Sequence, residues 1–567
     1  MVTDVSITIR PDDEQKQAFL KDKILLALAE KGIKTHPADM TSVFVKKSID
    51  ARRGHVRLVM RYKVYIGETP PAEETAVPVW KKADGKREVA IVGAGPAGLF
   101  GALRLLEDGI KPIIIERGSI TSERKKDIAA ISTRGVVDAD SNYCFGEGGA
   151  GTFSDGKLYT RSNKRGDIGR ILRIFVAFGA NPAILTDAHP HIGTDKLPGI
   201  INAMRAKIID LGGEFLFDTK CTGFETEPVA PAKNAFGTPQ GSHADAKSTG
   251  TLNAHETADT APLRVTGVQV QHTKTGATQT VRADAVVLAT GHSANDIYEL
   301  LSRTAPAALE EKTFAVGVRV EHPRALIDNI QFHGKKMAQA AEYRLTTQVD
   351  GRGVYSFCMC PGGFVVPSST APGQIVINGM SGASRNSLWS NSAIVVEIRP
   401  EDIPAAYREQ AQKDGTPALA GLYWRTWLEA ETARHGSGQK APAQRLTDFL
   451  SHRESKDLPR TSYTPGVVSS RLDEWLPHGI APRLAAAFND FNKNMRGFIA
   501  DDALLIAMET RTSTPVRILR DKETLECTAL KGLYPAGEGS GYSGGIVSSA
   551  MDGEKACGAI CKKVRGK

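Results

Sequence analysis

One glycine-rich segment restricts the fold of this chain more than any other feature. Residues 89–99 read Val-Ala-Ile-Val-Gly-Ala-Gly-Pro-Ala-Gly-Leu, so a short apolar run leads into closely spaced glycines. This pattern predicts a buried strand, a tight turn and a helix. In such a unit Gly93 permits the sharp turn, Gly95 lets the backbone approach a pyrophosphate, and Gly98 lets the helix pack closely on the strand. The helix start adds free N–H groups and a positive dipole end, so the segment predicts a dinucleotide site.

An acidic residue at the end of the next predicted strand supports this interpretation. Residues 111–116 read Lys-Pro-Ile-Ile-Ile-Glu, and Glu116 comes 18 residues after Gly98. A carboxylate at about this spacing is expected to bind the hydroxyls of the adenosine ribose. Glutamate rather than arginine at this place favours a ribose with a free 2′-hydroxyl over one with a 2′-phosphate.

Two later segments favour FAD over a nicotinamide cofactor, because an extended cofactor needs several chain segments along its length. Residues 285–291 predict another strand with a tight turn, and residues 532–546 predict a strand, a second glycine-rich turn and the start of the last helix. Glu538 is expected to bind the ribityl hydroxyls. The N–H groups near Gly545 are expected to face the flavin pyrimidine edge, where negative charge develops on reduction. The three segments in this order resemble the glutathione-reductase-like flavoproteins in the broad sense.

The chain also resembles the bacterial family of uncharacterised FAD-dependent dehydrogenases, over nearly its whole length except residues 226–262. The motifs that carry the resemblance are Lys47-Ser-Ile-Asp-Ala-Arg52, Phe145-Gly-Glu-Gly-Gly-Ala-Gly-Thr-Phe-Ser-Asp-Gly-Lys157, His191-Ile-Gly-Thr-Asp-Lys-Leu197, Gly291-His-Ser-Ala294, Phe357-Cys-Met-Cys-Pro-Gly-Gly363, Glu509-Thr-Arg-Thr-Ser513 and residues 536–545. One position departs from the family pattern, because Asn295 stands where an arginine is expected. The resemblance does not supply a substrate.

The residues expected to bind FAD come from the glycine-rich turns and the strand ends. They are Gly93, Gly95, Pro96, Ala97, Gly98, Glu116, Arg117, Gly149, Gly151, Gly291, Gly537, Glu538, Gly544, Gly545 and Ile546. The glycines of residues 146–151 are included because they allow a close approach of the backbone. No histidine or cysteine is in an obvious position to tether the flavin, so noncovalent FAD is expected.

Two side chains are candidates for catalysis. Arg511 would orient an anionic substrate or stabilise the reduced flavin, or it forms a structural salt bridge with Glu509 or another acid. Lys157 would bind a phosphate or the flavin N5 region, although a solvated lysine is the more ordinary role.

The cysteines and histidines of the sequence give weaker signals. Cys144 has no second cysteine in its loop, so the chemistry of the two-cysteine disulfide reductases is not expected there. Cys358 and Cys360 are a redox or flavin-facing pair or, in the preferred reading, two side chains on the same face of a strand. His189 and His191 have no third ligand nearby, so no metal site is expected.

Charge and composition restrict the partners. The net charge is +8, and residues 1–67 hold 13 Lys and Arg against 8 Asp and Glu. This excess is too small to predict nucleic-acid binding, so an FAD-dependent RNA-modifying enzyme is an alternative only, as is a non-catalytic flavin sensor. The odd number of cysteines without regular spacing favours a reducing cytoplasm. Neither a signal peptide nor an apolar run long enough to span a membrane is visible.

The expected fold is α/β. A Rossmann-like FAD-binding domain of the glutathione-reductase-like type is assembled from residues 86–225, 263–300 and 500–567. Residues 226–262 are rich in Ala, Thr and Pro and predict a disordered insertion between two paired strands. Residues 301–499 are expected to form a substrate or cap domain, and residues 1–68 a small basic βαββ module.

The expected function is that of an FAD-dependent oxidoreductase that moves two electrons to or from a small-molecule substrate. No second dinucleotide-binding unit is evident. If NAD(P)H is the donor, it is therefore expected to bind transiently over the flavin.

Overall fold

The first described elements form a small antiparallel sheet covered by one helix. The computed structural model describes residues 1–51, 54–70, 77–159, 166–229, 262–477 and 479–565, and its strands and helices are numbered in chain order. The chain begins with β1 (Val2–Ile9), α1 (Gln17–Glu30), β2 (Met40–Asp50) and β3 (Arg57–Ile66), and the sheet order is β1-β3-β2. Leu20, Ile24 and Leu28 of α1 recur every four residues, so they lie on one face and pack against this sheet.

A parallel sheet of five strands organises the glycine-rich segments. Its strands are β4 (Glu88–Val92), β5 (Lys111–Ile115), β6 (Glu214–Leu216), β10 (Ala285–Leu288) and β23 (Leu533–Pro535), and they lie in the order β23-β10-β4-β5-β6. The central strands are buried on both faces, which explains their continuous Val and Ile content.

Helices and a second sheet cover the two faces of this parallel sheet. One face packs against α2 (Pro96–Glu107), α4 (Ile168–Ala177), α5 (Leu197–Asp210) and α13 (Ile546–Val564). The other packs against α6 (Asn295–Thr304) and a sheet of β7 (Thr219–Pro228), β8 (Leu263–His272), β9 (Thr278–Arg282) and β22 (Leu530–Lys531). α3 (Thr121–Arg134) follows β5.

A seven-stranded sheet dominates the second half of the chain. Its strands are β12 (Phe314–Pro323), β13 (Thr346–Val349), β14 (Arg352–Cys360), β17 (Trp389–Ile398), β18 (Ala441–Arg445), β19 (Val467–Ser469) and β20 (Leu504–Glu509), in the order β13-β14-β17-β12-β20-β18-β19. Two strand pairs accompany it, β11 (Leu309–Glu311) with β21 (Val516–Ile518), and β15 (Phe364–Pro367) with β16 (Ile377–Met380).

The helices of this half cover one face of the seven-stranded sheet. They are α7 (Arg324–Phe332), α8 (Ala405–Lys413), α9 (Ala420–Arg434), α10 (Leu446–Leu450), α11 (Leu472–Trp475) and α12 (Ala481–Asn494). Val316, Val318 and Val320 alternate along β12 and join the core on this face, whereas Arg319 between them points to the opposite face.

Two expected boundaries need correction. Residues 226–228 belong to β7 and pair with β8, so the expected insertion from 226 to 262 begins too early; residues 230–261 lie outside the described residues. The prediction that the flanking strands pair is confirmed. The expected cofactor segment 500–567 also begins too early, because β20 lies between β12 and β18 in the seven-stranded sheet. An apolar strand such as β20 gives no local sign of the sheet to which it belongs.

The N-terminal elements contact the rest of the chain through β2. The N–H of Lys47 donates to the carbonyl of Thr186 at 3.1 Å, and the N–H of Ala188 donates to the carbonyl of Lys47 at 3.0 Å. Arg52, part of one of the family motifs, lies outside the described residues. In the part of the chain that the structure describes, no helix is both long and apolar enough to cross a membrane.

Candidate FAD site and active site

A cavity of about 1000 Å³ lies between the carboxyl ends of the parallel strands and β14 of the seven-stranded sheet. Every residue that the sequence predicts to bind FAD lines it except Gly98. The catalytic candidates Arg511 and Lys157 line it too. The fold therefore brings together segments that are more than 400 positions apart in the sequence, such as Gly95 and Gly545.

The three glycines of the first turn have different surroundings. Gly93 has a φ of +110°, which L side chains rarely adopt. A Cβ at Gly98 would overlap the carbonyl oxygen of Gly93, so Gly98 serves the packing of α2 on β4 and not a contact with the cavity. A Cβ at Gly95 would have its nearest neighbour at 3.8 Å, the Cα of Gly149, so Gly95 leaves the backbone open to the cavity.

Two helices begin at the cavity wall without a side-chain cap. Gly95 is the N-cap of α2 and Gly545 is the N-cap of α13. The first bonds within these helices run from Leu99 N to Gly95 O and from Ser549 N to Gly545 O, both at 2.9 Å. The earlier N–H groups therefore have no acceptor within the helix, and both positive dipole ends lie at the same cavity.

These features fit FAD. Its pyrophosphate needs N–H donors and a backbone without side chains, which the turn at Gly95 provides. At Gly291 and Gly544 an added Cβ would meet nothing within 4 Å, so the cavity has room beside both. The hydroxyls of Ser293 and Thr512 are buried without a hydrogen-bond partner, and both residues line the cavity. Buried hydroxyls normally have a hydrogen-bond partner, so these two are expected to bind a polar ligand in the cavity.

Glu116 and Arg117 are held by other parts of the chain. The Glu116 carboxylate accepts hydrogen bonds from the N–H groups of Ala94 at 2.9 Å, Gly118 at 3.1 Å and Gly146 at 2.9 Å. A carboxylate has about four acceptor positions, so one remains for a ligand. Arg117 forms ion pairs with Asp140 at 2.6 Å and Asp296 at 3.0 Å.

Arg511 forms a buried ion pair with Glu429 of α9. Its Nε donates to Glu429 Oε1 at 2.9 Å and its Nη2 to Glu429 Oε2 at 2.7 Å. Burial alone would lower the pKa of Arg511, but the Glu429 carboxylate outweighs burial and raises it above its ordinary value. The alternative of a salt bridge is thus correct, and its acid is Glu429 rather than Glu509, which pairs with Arg319 at 2.9 Å.

A cluster of charges lies at the end of the cavity near β14. The ammonium of Lys157 lies 2.9 Å from Asp155, Asp155 lies 2.9 Å from Arg385, and Arg385 lies 2.6 Å from Glu342. His189 hydrogen bonds to Glu342 at 3.0 Å. We call these five residues the charge cluster. Lys157 is therefore an ion-paired residue of the cavity wall, and the expectation of a solvated lysine is wrong.

The charge cluster keeps its charges despite burial. Burial alone would raise the pKa of Asp155, but Lys157 and Arg385 outweigh it and hold the pKa below its usual range. Burial likewise opposes the charge of Lys157, and Asp155 raises the pKa of Lys157 above its ordinary value. Sequence reasoning missed three members of this cluster. Asp155 lies only two residues before Lys157, within a motif of the family resemblance, but no role was assigned to it. Glu342 and Arg385 come from distant segments that no spacing connects to it.

The remaining sequence candidates have the following partners. His189 binds Glu342 and His191 binds the carbonyl of Ala383 at 3.1 Å; no group of three or more potential metal ligands occurs among the described residues. Asn295 accepts a hydrogen bond at 2.7 Å from the buried Arg425. Cys358 is exposed to the cavity and Cys360 is buried, so the two do not have equivalent places on one strand face.

Comparison with known proteins supports FAD as the cofactor. The family model described as "FAD-dependent protein, C-terminal domain-like" matches residues 313–512, and the model "FAD binding domain" matches residues 86–132. An uncharacterised protein of Clostridium beijerinckii is 37% identical over 486 residues, which cover 84% of this chain and 81% of the relative.

Two solved structures show a distant likeness. A geranylgeranyl bacteriochlorophyll reductase-like protein from Thermoplasma acidophilum is 12% identical, with 85% of this chain and 79% of that chain covered and a TM-score of 0.29. CtdE in complex with FAD is 11% identical, with 84% and 85% covered and a TM-score of 0.32. Likeness at these scores carries no weight for this chain. The family matches support a flavoenzyme of the oxidoreductase kind without naming its reaction. The chain belongs to the family of uncharacterised FAD-dependent proteins that the Clostridium relative represents, and its cofactor is FAD.

Proposed function

We propose that this protein is an FAD-dependent oxidoreductase that transfers two electrons between its flavin and a small-molecule substrate. The observation that carries the proposal is the continuity of the cavity. It runs from the uncapped starts of α2 and α13 to the charge cluster, so it has a cofactor end and a second, polar end. The flavin supplies the two-electron chemistry, and the protein supplies binding, orientation and electrostatics.

Each wall of the cofactor end has a role in holding FAD. Gly95, Pro96 and Ala97 receive the pyrophosphate, and the fourth acceptor position of Glu116 receives the adenosine ribose. Glu538 binds the ribityl chain. The N–H groups at the start of α13 face the flavin pyrimidine edge, where they favour the negative charge of the reduced flavin.

At the polar end, the charge cluster orients the substrate. Lys157 is held protonated by Asp155, and its side chain keeps 32% of its surface exposed. It therefore offers a permanent cation to a substrate anion or to the reduced flavin. Arg511 acts as a positioning residue, because its guanidinium is fixed by Glu429 on one side of the cavity. If NAD(P)H is the donor, it binds transiently over the flavin.

The test is the spectrum of the purified protein and its anaerobic reduction. We expect a yellow protein whose noncovalent cofactor is released by acid and runs as FAD at about one per chain. NADH and NADPH are then added separately without oxygen, and bleaching of the flavin band identifies the donor. A colourless protein that cannot be reconstituted with FAD would contradict the proposal.

An RNA-modifying enzyme remains a second candidate because of where the N-terminal elements lie. β2 contacts residues 186–188, directly before His189 at the cavity. Against this candidate, Lys47 and Arg61 are paired with Glu14 and Asp4, which reduces the charge available for phosphates. RNA that copurifies at 0.5 M salt, and a shift of the flavin spectrum on adding it, would favour this candidate. Flavin binding without any turnover would favour the sensor alternative.

A further inference from the structure

Cys358 and Cys360 lie at a β-bulge in β14. Phe357 pairs with Ala393 and Cys360 pairs with Asn391, so three steps along β14 oppose two steps along β17. Cys358 has a φ of +43°, in the left-handed region that residues other than glycine rarely adopt. Bulges of this kind redirect a side chain and are frequent next to active sites. Here the bulge leaves Cys358 exposed to the cavity, and both cysteines line it.

The side chain of Arg319 holds the backbone of this bulge. Arg319 is fully buried, and its Nη1 donates to the carbonyl of Cys358 at 3.3 Å. The guanidinium is itself fixed by Glu509 and by Asn391. Left-handed backbone at a residue other than glycine persists only where its surroundings impose it, and Arg319 provides such a restraint.

The second sulfur has a cation beside it. The thiol of Cys360 donates to the carbonyl of Cys358 at 3.3 Å, and Nζ of Lys157 donates to Cys360 Sγ at 3.8 Å. Lys157 ends the loop that begins beside the glycine turn, since Gly149 approaches Gly95. The same short loop therefore connects the cofactor end of the cavity to the two thiols.

The spacing of the two cysteines allows a disulfide. Residues two apart in a strand have Cα atoms about 6.6 Å apart, and disulfides bridge Cα separations of about 4.4–6.8 Å. Because Cys358 faces the cavity whereas Cys360 is buried, closure requires the backbone of the bulge to turn the Cys358 side chain toward Cys360. The cavity walls desolvate the Cys358 thiol although it faces the cavity, which raises its pKa to about 11. Burial raises the pKa of Cys360 as well, while Lys157 acts in the opposite direction on both thiols. The reduced pair is therefore a protonated dithiol at neutral pH.

We propose that Cys358 and Cys360 form a redox-active pair that exchanges two electrons with the flavin. In one direction the reduced flavin gives up two electrons and one proton, and solvent supplies a second proton. The S–S bond breaks, each sulfur becomes a thiol, and the flavin returns to its oxidised form. The protein then stores four electrons rather than two. This inference rests on the proposed function, because the flavin must receive electrons from a donor.

The test counts electrons and thiols in the holoprotein. Air-oxidised protein is titrated anaerobically with dithionite, and we expect four electrons per FAD. Cys358→Ser and Cys360→Ser should each need only two. Cys144→Ser is the matched control, because Cys144 lines the same cavity without a second cysteine in its loop, and it should still need four.

A second readout does not depend on the flavin or on any variant. Air-oxidised wild-type protein is denatured and alkylated before and after reduction, and the peptide with both cysteines is weighed. We expect no alkyl group on Cys358 or Cys360 before reduction and two after it. Two alkyl groups before reduction, together with two electrons per FAD, would overturn the redox pair while leaving the proposed function intact. A protein that binds no FAD would contradict the proposed function instead.

Discussion

Replacing Glu429 by glutamine should destabilise the protein more than removing its partner Arg511. The two side chains are almost fully buried and form a two-pronged ion pair with bonds of 2.9 and 2.7 Å. Arg425, one turn earlier on α9, is also fully buried, and its hydrogen-bond acceptors are the neutral His292 carbonyl and Asn295. Glu429 therefore compensates two buried arginines. Glu429→Gln leaves both without a carboxylate, whereas Arg511→Met leaves Glu429 beside Arg425.

The magnitude follows from the cost of an uncompensated buried charge. Breaking a buried ion pair by removing one partner costs about 3–5 kcal/mol of unfolding free energy. We expect Glu429→Gln at the upper end of this range and Arg511→Met at the lower end. A matched control is Glu431→Gln on the same helix, since its partner Arg434 is 70% exposed. Such a surface pair contributes at most about 1 kcal/mol.

The assay is urea unfolding at pH 7, with the FAD affinity of each variant titrated in parallel. The contribution of cofactor binding is subtracted, because free FAD at concentration L stabilises the folded state by RT ln(1 + L/Kd). If Arg511→Met costs as much as Glu429→Gln, or if both match the Glu431→Gln control, the reasoning about two compensated arginines is wrong.

The loss of stability at low pH should depend on the same carboxylate. Burial alone would raise the pKa of Glu429, but Arg511 outweighs it and lowers the pKa below its ordinary value. The contribution of Glu429 to stability is therefore complete above the unfolded pKa of about 4.3 and is lost as the pH falls through the lower folded pKa. Glu429→Gln should lack this part of the acid-side loss, which unfolding curves between pH 7 and pH 3 would measure.

Three further outcomes are expected. Gly95→Val should abolish FAD binding, because a branched side chain would occupy the opening beside Gly149. Glu116→Ala should weaken FAD binding more mildly. FAD titration of the apoproteins measures both effects, and equal affinities of the two variants for FAD would contradict the role assigned to the turn at Gly95. Gly545→Pro should lower the flavin midpoint potential more than it lowers the affinity for FAD, because it removes a backbone donor at the start of α13. Glu538→Ala, by contrast, should mainly weaken the affinity for FAD. An unchanged midpoint potential in yellow Gly545→Pro protein would show that α13 does not face the flavin. Replacing residues 230–261 by a short Gly/Ser linker should preserve soluble, yellow protein. The reason is that the N–H of Val229 already donates to the carbonyl of Pro262 at 2.8 Å, so the ends of the two strands lie together. Colourless or insoluble protein would show that the segment is needed.

The local units of this protein could be predicted from its sequence. A strand, a tight turn and a helix start are encoded by neighbouring residues, so Gly93, Gly95 and Gly98 identify their own turn. Spacing alone is not sufficient, since the same pattern of glycines recurs at Gly146, Gly148 and Gly151, where no strand leads into the turn. The apolar strand before Gly93 and the acid at Glu116 make the first occurrence informative.

Only the tertiary structure decided how distant charges combine. Arg511 finds its acid 82 positions away in Glu429, and Asp155 meets Arg385 across 230 positions. An ion pair between such residues leaves no periodicity in either segment, because the chain between them folds independently of the contact. The place of β20 in the seven-stranded sheet has the same origin, since a buried apolar strand can pair with any sheet that has a free edge. Adjacent residues determine local features such as the glycine turn and the helix start. The partners of buried charges and strands depend instead on which segments the whole fold brings together.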